Sequence, residues 1–319
     1  MAHGQQAQTT RIGGLKAITL SCADAEIETT WVPGAGMLGA SLVYHGEEML
    51  WQGAGVRAYA RERRFMGIPF LHPWANRLSG FAYRADGRDV RLDPASKLLL
   101  LDDHGLPIHG VLNAARGWAV TDLGADDDCA WMTASLSFDR PELLAAFPFA
   151  HRIELEVQLS GGAVQVRTTL AATGREAIPI AFGFHPYLRI PGVPRARWEV
   201  AFPVSRRLLL DHHQIPTGAT EPVRPLTGTI GQRTWDDGFD RIDPLAWFEL
   251  RGGGRTIAVE YTHGYPVAQI FAPPGQEYVC IEPMTAPANA LSGPDDRLAW
   301  VPVGEQRSAS FRIACRLDP

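Results

Sequence analysis

The chain has 319 residues, with 30 Lys and Arg against 35 Asp and Glu, a net charge of −5 and no basic stripe. That balance argues against a nucleic-acid partner, and no run of about 18 apolar residues is present to span a membrane. Apolar residues at 45% and charged residues at 20% are those of a globular chain long enough to bury a sizeable core.

Met1–Gly14 reads as a loose, polar, Gln-rich tail without the apolar segment of a secretory signal. A single domain is expected over 15–319. From Ala17 the pattern becomes short β-type runs separated by Gly, Pro and Asp: Ala17–Ser21, Glu26–Val32 and Met37–Tyr44, broken at Pro33-Gly34 and His45-Gly46. Arg61, Arg63 and Arg64, interrupted by Glu62, read as solvated surface. Phe65–Gly80 mixes apolar residues with Pro69, Pro73, Asn76 and Arg77 without a period, the mark of an ordered loop. Arg84–Leu92 is a strand pair about the turn Asp86-Gly87. Leu98–Leu101 is apolar, and His104-Gly105 and His109-Gly110 follow. After the strand Trp131–Phe138, Arg140–Phe147 is a short-helix candidate with Pro141 early.

The clearest periodicity is in His151–Leu159. Ile153, Leu155, Val157 and Leu159 face one way, while Arg152, Glu154, Glu156 and Gln158 face the other. Ser160-Gly161-Gly162 then turns into Ala163–Leu170, a hairpin with one wet face. Trp198–Phe202, Thr256–Tyr261, Val267–Ala272, Tyr278–Glu282 and Ser308–Cys315 continue the strand pattern, with Gly252-Gly253-Gly254 as a turn. No long helix and no internal repeat is visible. The expectation is an all-β chain: a large antiparallel sandwich with few short helices.

Phosphate loops, dinucleotide fingerprints, serine elbows and zinc-protease motifs are absent. Cys22, Cys129, Cys280 and Cys315 lack paired metal spacing and fit free thiols in a reducing, cytoplasmic setting. His212-His213 would point opposite ways on a strand and reads as surface or loop rather than a metal clamp. A dispersed set of polar residues remains. His185 ends the apolar run that begins at Ile178. Pro186 stiffens the backbone after it, so His185 is either a core histidine on a carbonyl or a mounted proton donor. Glu282 closes the apolar Val279-Cys280-Ile281, where an unpaired carboxylate is costly; it has a partner or a task. Arg77 caps a loop or binds a ligand, and His109 braces a turn or does chemistry. Asp236, Asp237 and Asp240 are a solvated acidic turn or hold a ligand. Trp74, Tyr187 and Phe239 either pack or stack on a ligand.

Asn76-Arg77 with Gly80, His109-Gly110, His185-Pro186-Tyr187, Asp236-Asp237-Gly238-Phe239 and Glu282-Pro283-Met284-Thr285 occur in that order across most of the chain. Together they resemble the aldose 1-epimerase (mutarotase) family of the galactose mutarotase-like superfamily. The resemblance implies a β-sandwich that interconverts the α and β anomers of a free aldose. Glu282 would be the general base, His185 the general acid, and His109 a helper at the ring oxygen or a neighbouring hydroxyl. Arg77, Asn76, Asp236 and Tyr187 would contact the sugar. No metal or organic cofactor is implied. The partner is a small sugar, and the chain a monomer or homodimer. Val111, where a second Gly is common, and Leu188-Arg189, where Phe-Asn is frequent, bear on which sugar is bound. Three other readings stand beside this one. A hexose 6-phosphate 1-epimerase would need Arg63, Arg64 and Arg77 to converge. The others are a non-catalytic carbohydrate-binding protein and a lyase or hydrolase on the same sandwich.

Overall fold

The computed structural model describes residues 4–293 and 298–318. The expected antiparallel β-architecture is what the chain adopts. Its largest sheet has nine strands, in the spatial order Ala119–Ala125, Ala130–Phe138, His151–Ser160, Ala163–Ala172, Gln306–Leu317, Arg255–His263, Trp247–Gly252, Glu199–Phe202 and Leu226–Thr229. The alternation in His151–Ser160 decides which way that strand faces. Ile153, Leu155, Val157 and Leu159 are fully buried, while Arg152 is exposed. Each such side chain contributes about 1.5–3 kcal/mol on leaving water. A one-residue slip would turn all four outward, so the register with Ala163–Ala172 is firmly held.

An eight-stranded sheet covers the inner face. Its main path runs Pro216–Pro222, Arg206–Leu210, Trp235–Asp240, Val267–Ala272, Val279–Met284, Gly183–Phe184 and Phe70–Leu71, with Tyr187–Leu188 also paired to Val279–Met284. Ile270, Val279 and Ile281 belong to the same core as Ile257, Val259, Phe311 and Ile313 of the nine-stranded sheet, and the Phe184 and Phe311 rings meet at 5.0 Å. Trp74 and Phe239 lie in this core too, which explains both rings by packing.

The N-terminal reading needs correction. Met1–His3 lie outside the described residues, but Gln5–Ile12 is a strand rather than a loose tail, paired from Gln5↔Cys22 to Ile12↔Leu15. It is the edge of a five-stranded sheet that packs against the Ala119–Ser160 end of the large one. The helix expected over Arg140–Phe147 shrinks to Pro141–Leu144. The loop expected over Phe65–Gly80 contains the short strand Phe70–Leu71.

Two histidines inside the sandwich have a definite proton arrangement. His151 Nδ1 lies 2.6 Å from the Phe149 carbonyl, which can only accept, so the proton is on that nitrogen. His151 Nε2 must then accept from His72 Nε2, 2.8 Å away. Burial pushes His151 down to about 4; it also pushes His72 well below the usual imidazole range, helped by the neighbouring His151. An unfolded chain protonates these rings near 6.5, so between that value and about 4 the unfolded state binds more protons and stability rises with pH. Acidification from pH 7 to 5 is therefore expected to cost about 2 kcal/mol for each ring held neutral. Urea midpoints at the two pH values check this. The Glu282 carboxyl, pushed up by burial, works in the opposite direction, so the comparison is repeated in Glu282→Gln. An unchanged midpoint in that variant would refute the arrangement.

Candidate active site

Val279–Met284 is buried along its whole length. Its even and odd positions face opposite ways. Val279 and Ile281 enter the core. Glu282 and Cys280 face away from it, opposite Gln269 and Phe271 of the next strand. Register carries the face further: Asp236 lies opposite Phe271, Gly238 opposite Gln269, and Tyr187 opposite Cys280. Cross-strand partners share a face. Asp236, Gln269, Glu282 and Tyr187 therefore form one polar patch on the outer face of the eight-stranded sheet. Gln269 Nε2 donates to Asp236 Oδ1 at 2.7 Å.

His185 sits between the short strands Gly183–Phe184 and Tyr187–Leu188. Its backbone N–H donates to the Pro69 carbonyl at 3.1 Å. Its ring lies flat on Tyr187, with centroids 4.5 Å apart and planes 5° apart, and edge-on to His109 at 5.3 Å. His185 Nε2 is 3.4 Å from Glu282 Oε1. Both groups are almost wholly buried, at 5% and 1% exposure. Among the described residues, Glu282 Oε2 and the Nδ1 atoms of His185 and His109 have no hydrogen-bond partner. Three buried polar atoms without partners beside one another cost stability unless a ligand satisfies them.

Electrostatics follow from burial. Glu282 is pushed well above the usual carboxylate range by desolvation first and by the Asp236 charge second, with Arg77 pulling back. Burial pushes the His185 imidazole down to about 3. His109 is held well below its ordinary value by burial, then by His185 and Arg77.

The other sequence candidates arrive on loops. Asn76 has φ +55°, and its Oδ1 accepts the Arg77 backbone N–H at 2.8 Å. The Asn76 carbonyl accepts the His109 N–H at 2.7 Å, and Arg77 bridges to Ile108, so the two loops are laced together. The buried Arg77 donates from Nε to Asp102 Oδ2 at 2.8 Å. Of the competing aspartates, Asp237 pairs with Arg207 and Asp240 with Arg206, while Asp236 shares the face of Glu282. Tyr187 stacks with both His185 and Trp51, the latter at 5.7 Å between centroids, and is buried at 6% exposure. The half-buried rings beside the pair are Phe65 and Phe271, each 6.0 Å from His185.

Residues 34–313 match the family described as Aldose 1-epimerase. The chain belongs to the aldose 1-epimerase family. Among its relatives is the uncharacterized protein YihR of Escherichia coli K12, 24% identical over 242 residues and 72% of either chain. A galactose mutarotase-like protein from Clostridium acetobutylicum has the same fold, with 18% identity, 98% and 99% of the two chains covered and a TM-score of 0.84. So does galactose 1-epimerase from Lactobacillus acidophilus, with 14% identity over 100% of both chains and a TM-score of 0.78. The fold is thus the galactose mutarotase-like sandwich.

For this member of the aldose 1-epimerase family, sequence reasoning missed Gln269 and Asp102. Gln269 left a trace, being the one polar side chain in the apolar Val267–Ala272. Asp102 left none, since its contact with Arg77 spans 25 residues and two loops.

Proposed function

We propose that the protein is an isomerase, an aldose 1-epimerase acting on a free aldose. The observation carrying this reading is the buried Glu282 carboxyl 3.4 Å from the His185 imidazole. Ring opening moves two protons: one leaves the anomeric hydroxyl and one reaches the ring oxygen. Those two oxygens hang from a single carbon, so acid and base must stand close together, and this pair does.

Burial disfavours charge on either group, so the pair retains one proton between them rather than two or none. One proton is what the reaction needs: one donor and one acceptor. Arg77 favours the ionised form of Glu282. In the tautomer with the shared proton on His185, the Glu282 carboxylate takes the anomeric proton while the imidazolium delivers to the ring oxygen. Carbon–oxygen cleavage gives the open aldehyde. Rotation about the adjacent C–C bond presents its other face, and the ring recloses by the reverse transfers. His109 hydrogen-bonds the ring oxygen or a neighbouring hydroxyl. Arg77, Asn76 and Asp236 hold hydroxyls, and Arg77 stabilises charge on oxygen. Positioned proton transfer of this kind is worth roughly 10²–10⁴-fold.

A neutral sugar fits better than a hexose 6-phosphate. Arg77 is engaged by Asp102, whereas Arg63 donates to the Leu98 carbonyl and lines another pocket with Arg61, Lys97 and Arg116. NMR exchange spectroscopy on α/β mixtures of glucose, galactose and glucose 6-phosphate tests the reading. Faster exchange is expected for a neutral hexose. With His185 displaced downward and Glu282 upward by burial, the rate should show no inflection at the ordinary imidazole value. A single inflection near 6.5 would count against the shared-proton pair, and no acceleration of any aldose would overturn the assignment.

A further inference from the structure

We propose that Asp211, His212 and His213, with His104 from a second turn, form a binding site for a zinc-class divalent transition metal that ties two loops together beside the proposed sugar site. Divergence of neighbouring side chains argues against a metal at His212-His213 only on a strand. The pair lies, as expected, in a surface loop, an exposed turn between the strands Arg206–Leu210 and Pro216–Pro222, with ring centroids 3.8 Å apart. One ligand atom each from Asp211, His212 and His213 falls within 4.8 Å of the others. Ligand atoms around a tetrahedral zinc lie roughly 3.4 Å apart, given Zn–N distances of about 2.0–2.1 Å. Rotamer adjustment of exposed side chains covers that difference.

A fourth donor comes from elsewhere in the chain. The His104 ring meets His213 edge-on at 5.5 Å. Both turns are braced in the same way. Asp211 Oδ1 accepts the backbone N–H groups of His213 and Ile215, and Asp102 Oδ1 accepts those of His104 and Leu106. Three imidazoles and a carboxylate form a donor set for zinc, nickel or copper rather than for magnesium or calcium.

The two turns adjoin the sugar site. Asp102 holds Arg77, and Gln214 lines a small pocket with Asn76, Arg77 and Gln269. A bound ion would fix the spacing between them. Any effect on sugar affinity rests on the function proposed above; metal binding itself does not.

The test uses the full chain without a polyhistidine tag, stripped with chelator and dialysed. Zn²⁺, Ni²⁺ and Mg²⁺ are titrated calorimetrically, and Co²⁺ is followed by its visible absorption, which strengthens on tetrahedral coordination. The expectation is one Zn²⁺ per chain, no Mg²⁺ binding, and affinity at least tenfold weaker in both His213→Ala and His104→Ala, with thermal melts showing both variants folded. Sub-stoichiometric Zn²⁺ binding, or affinity unchanged in His213→Ala, would overturn the site. Weakening in His213→Ala but not in His104→Ala would overturn the link between turns. Glu282→Gln should bind Zn²⁺ normally, which separates failure here from failure of the catalytic reading.

Discussion

Glu282→Gln is expected to lower kcat for anomer exchange by at least about 10²–10⁴-fold while leaving KM within a few-fold. Gln keeps the volume and the contacts of the side chain but cannot take a proton at the anomeric oxygen. The fold should survive, because the substitution removes a buried carboxyl whose charged form is already penalised by desolvation and by Asp236. The urea midpoint at pH 7 is therefore expected to hold or rise. Continuous polarimetry on freshly dissolved α-hexose, paired with equilibrium unfolding, separates chemistry from stability. Full activity in a folded Glu282→Gln would remove the carboxylate from the mechanism.

Gly110→Ala should have the largest effect on the fold. Gly110 has φ +70°, and a Cβ there would stand 2.2 Å from the His72 carbonyl oxygen and 2.4 Å from its carbon. These are backbone atoms and cannot rotate aside. The same carbonyl accepts the N–H groups of Val111 at 2.8 Å and Leu112 at 3.2 Å, so relieving the clash breaks both bonds. A loss of about 3 kcal/mol or more is expected, above the usual range for a point change. Gly105→Ala is the control. Its φ of +73° is as unfavourable, but nothing lies within 4 Å of its Cβ, so only the left-handed cost of about 1–2 kcal/mol applies. Similar midpoints for the two variants would mean that the crowding at His72 is not what Gly110 relieves. Because His109 is also left-handed, at φ +63°, and bonded to Asn76, Gly110→Ala should also impair sugar handling.

What was legible in the sequence followed from period and cost. Strands with one wet face write their alternation into the chain, as His151–Ser160 does. Glu282 stood out because a carboxylate closing a buried strand needs a reason. Gln5–Ile12 was not legible, because its side chains are polar or half-exposed on both faces and its pairing is supplied by Leu15–Cys22. The Asp102–Arg77 contact was not legible either, since no local pattern encodes a meeting of two loops. His212 and His213 were read as surface or loop, which is where they lie; the closeness of their rings was not legible, because it depends on a backbone conformation that adjacent residues do not specify.

Glu282 stands in mid-sheet, hydrogen-bonded through its strand to neighbours on either side, whereas Arg77, His109 and Asp102 hang from connecting segments. On the proposed mechanism, the base is therefore anchored independently of the segments that carry its helpers. If the protein is the epimerase proposed, grafting different segments over an unaltered sheet is a route to retuning which sugar is accepted while the carboxylate keeps its place.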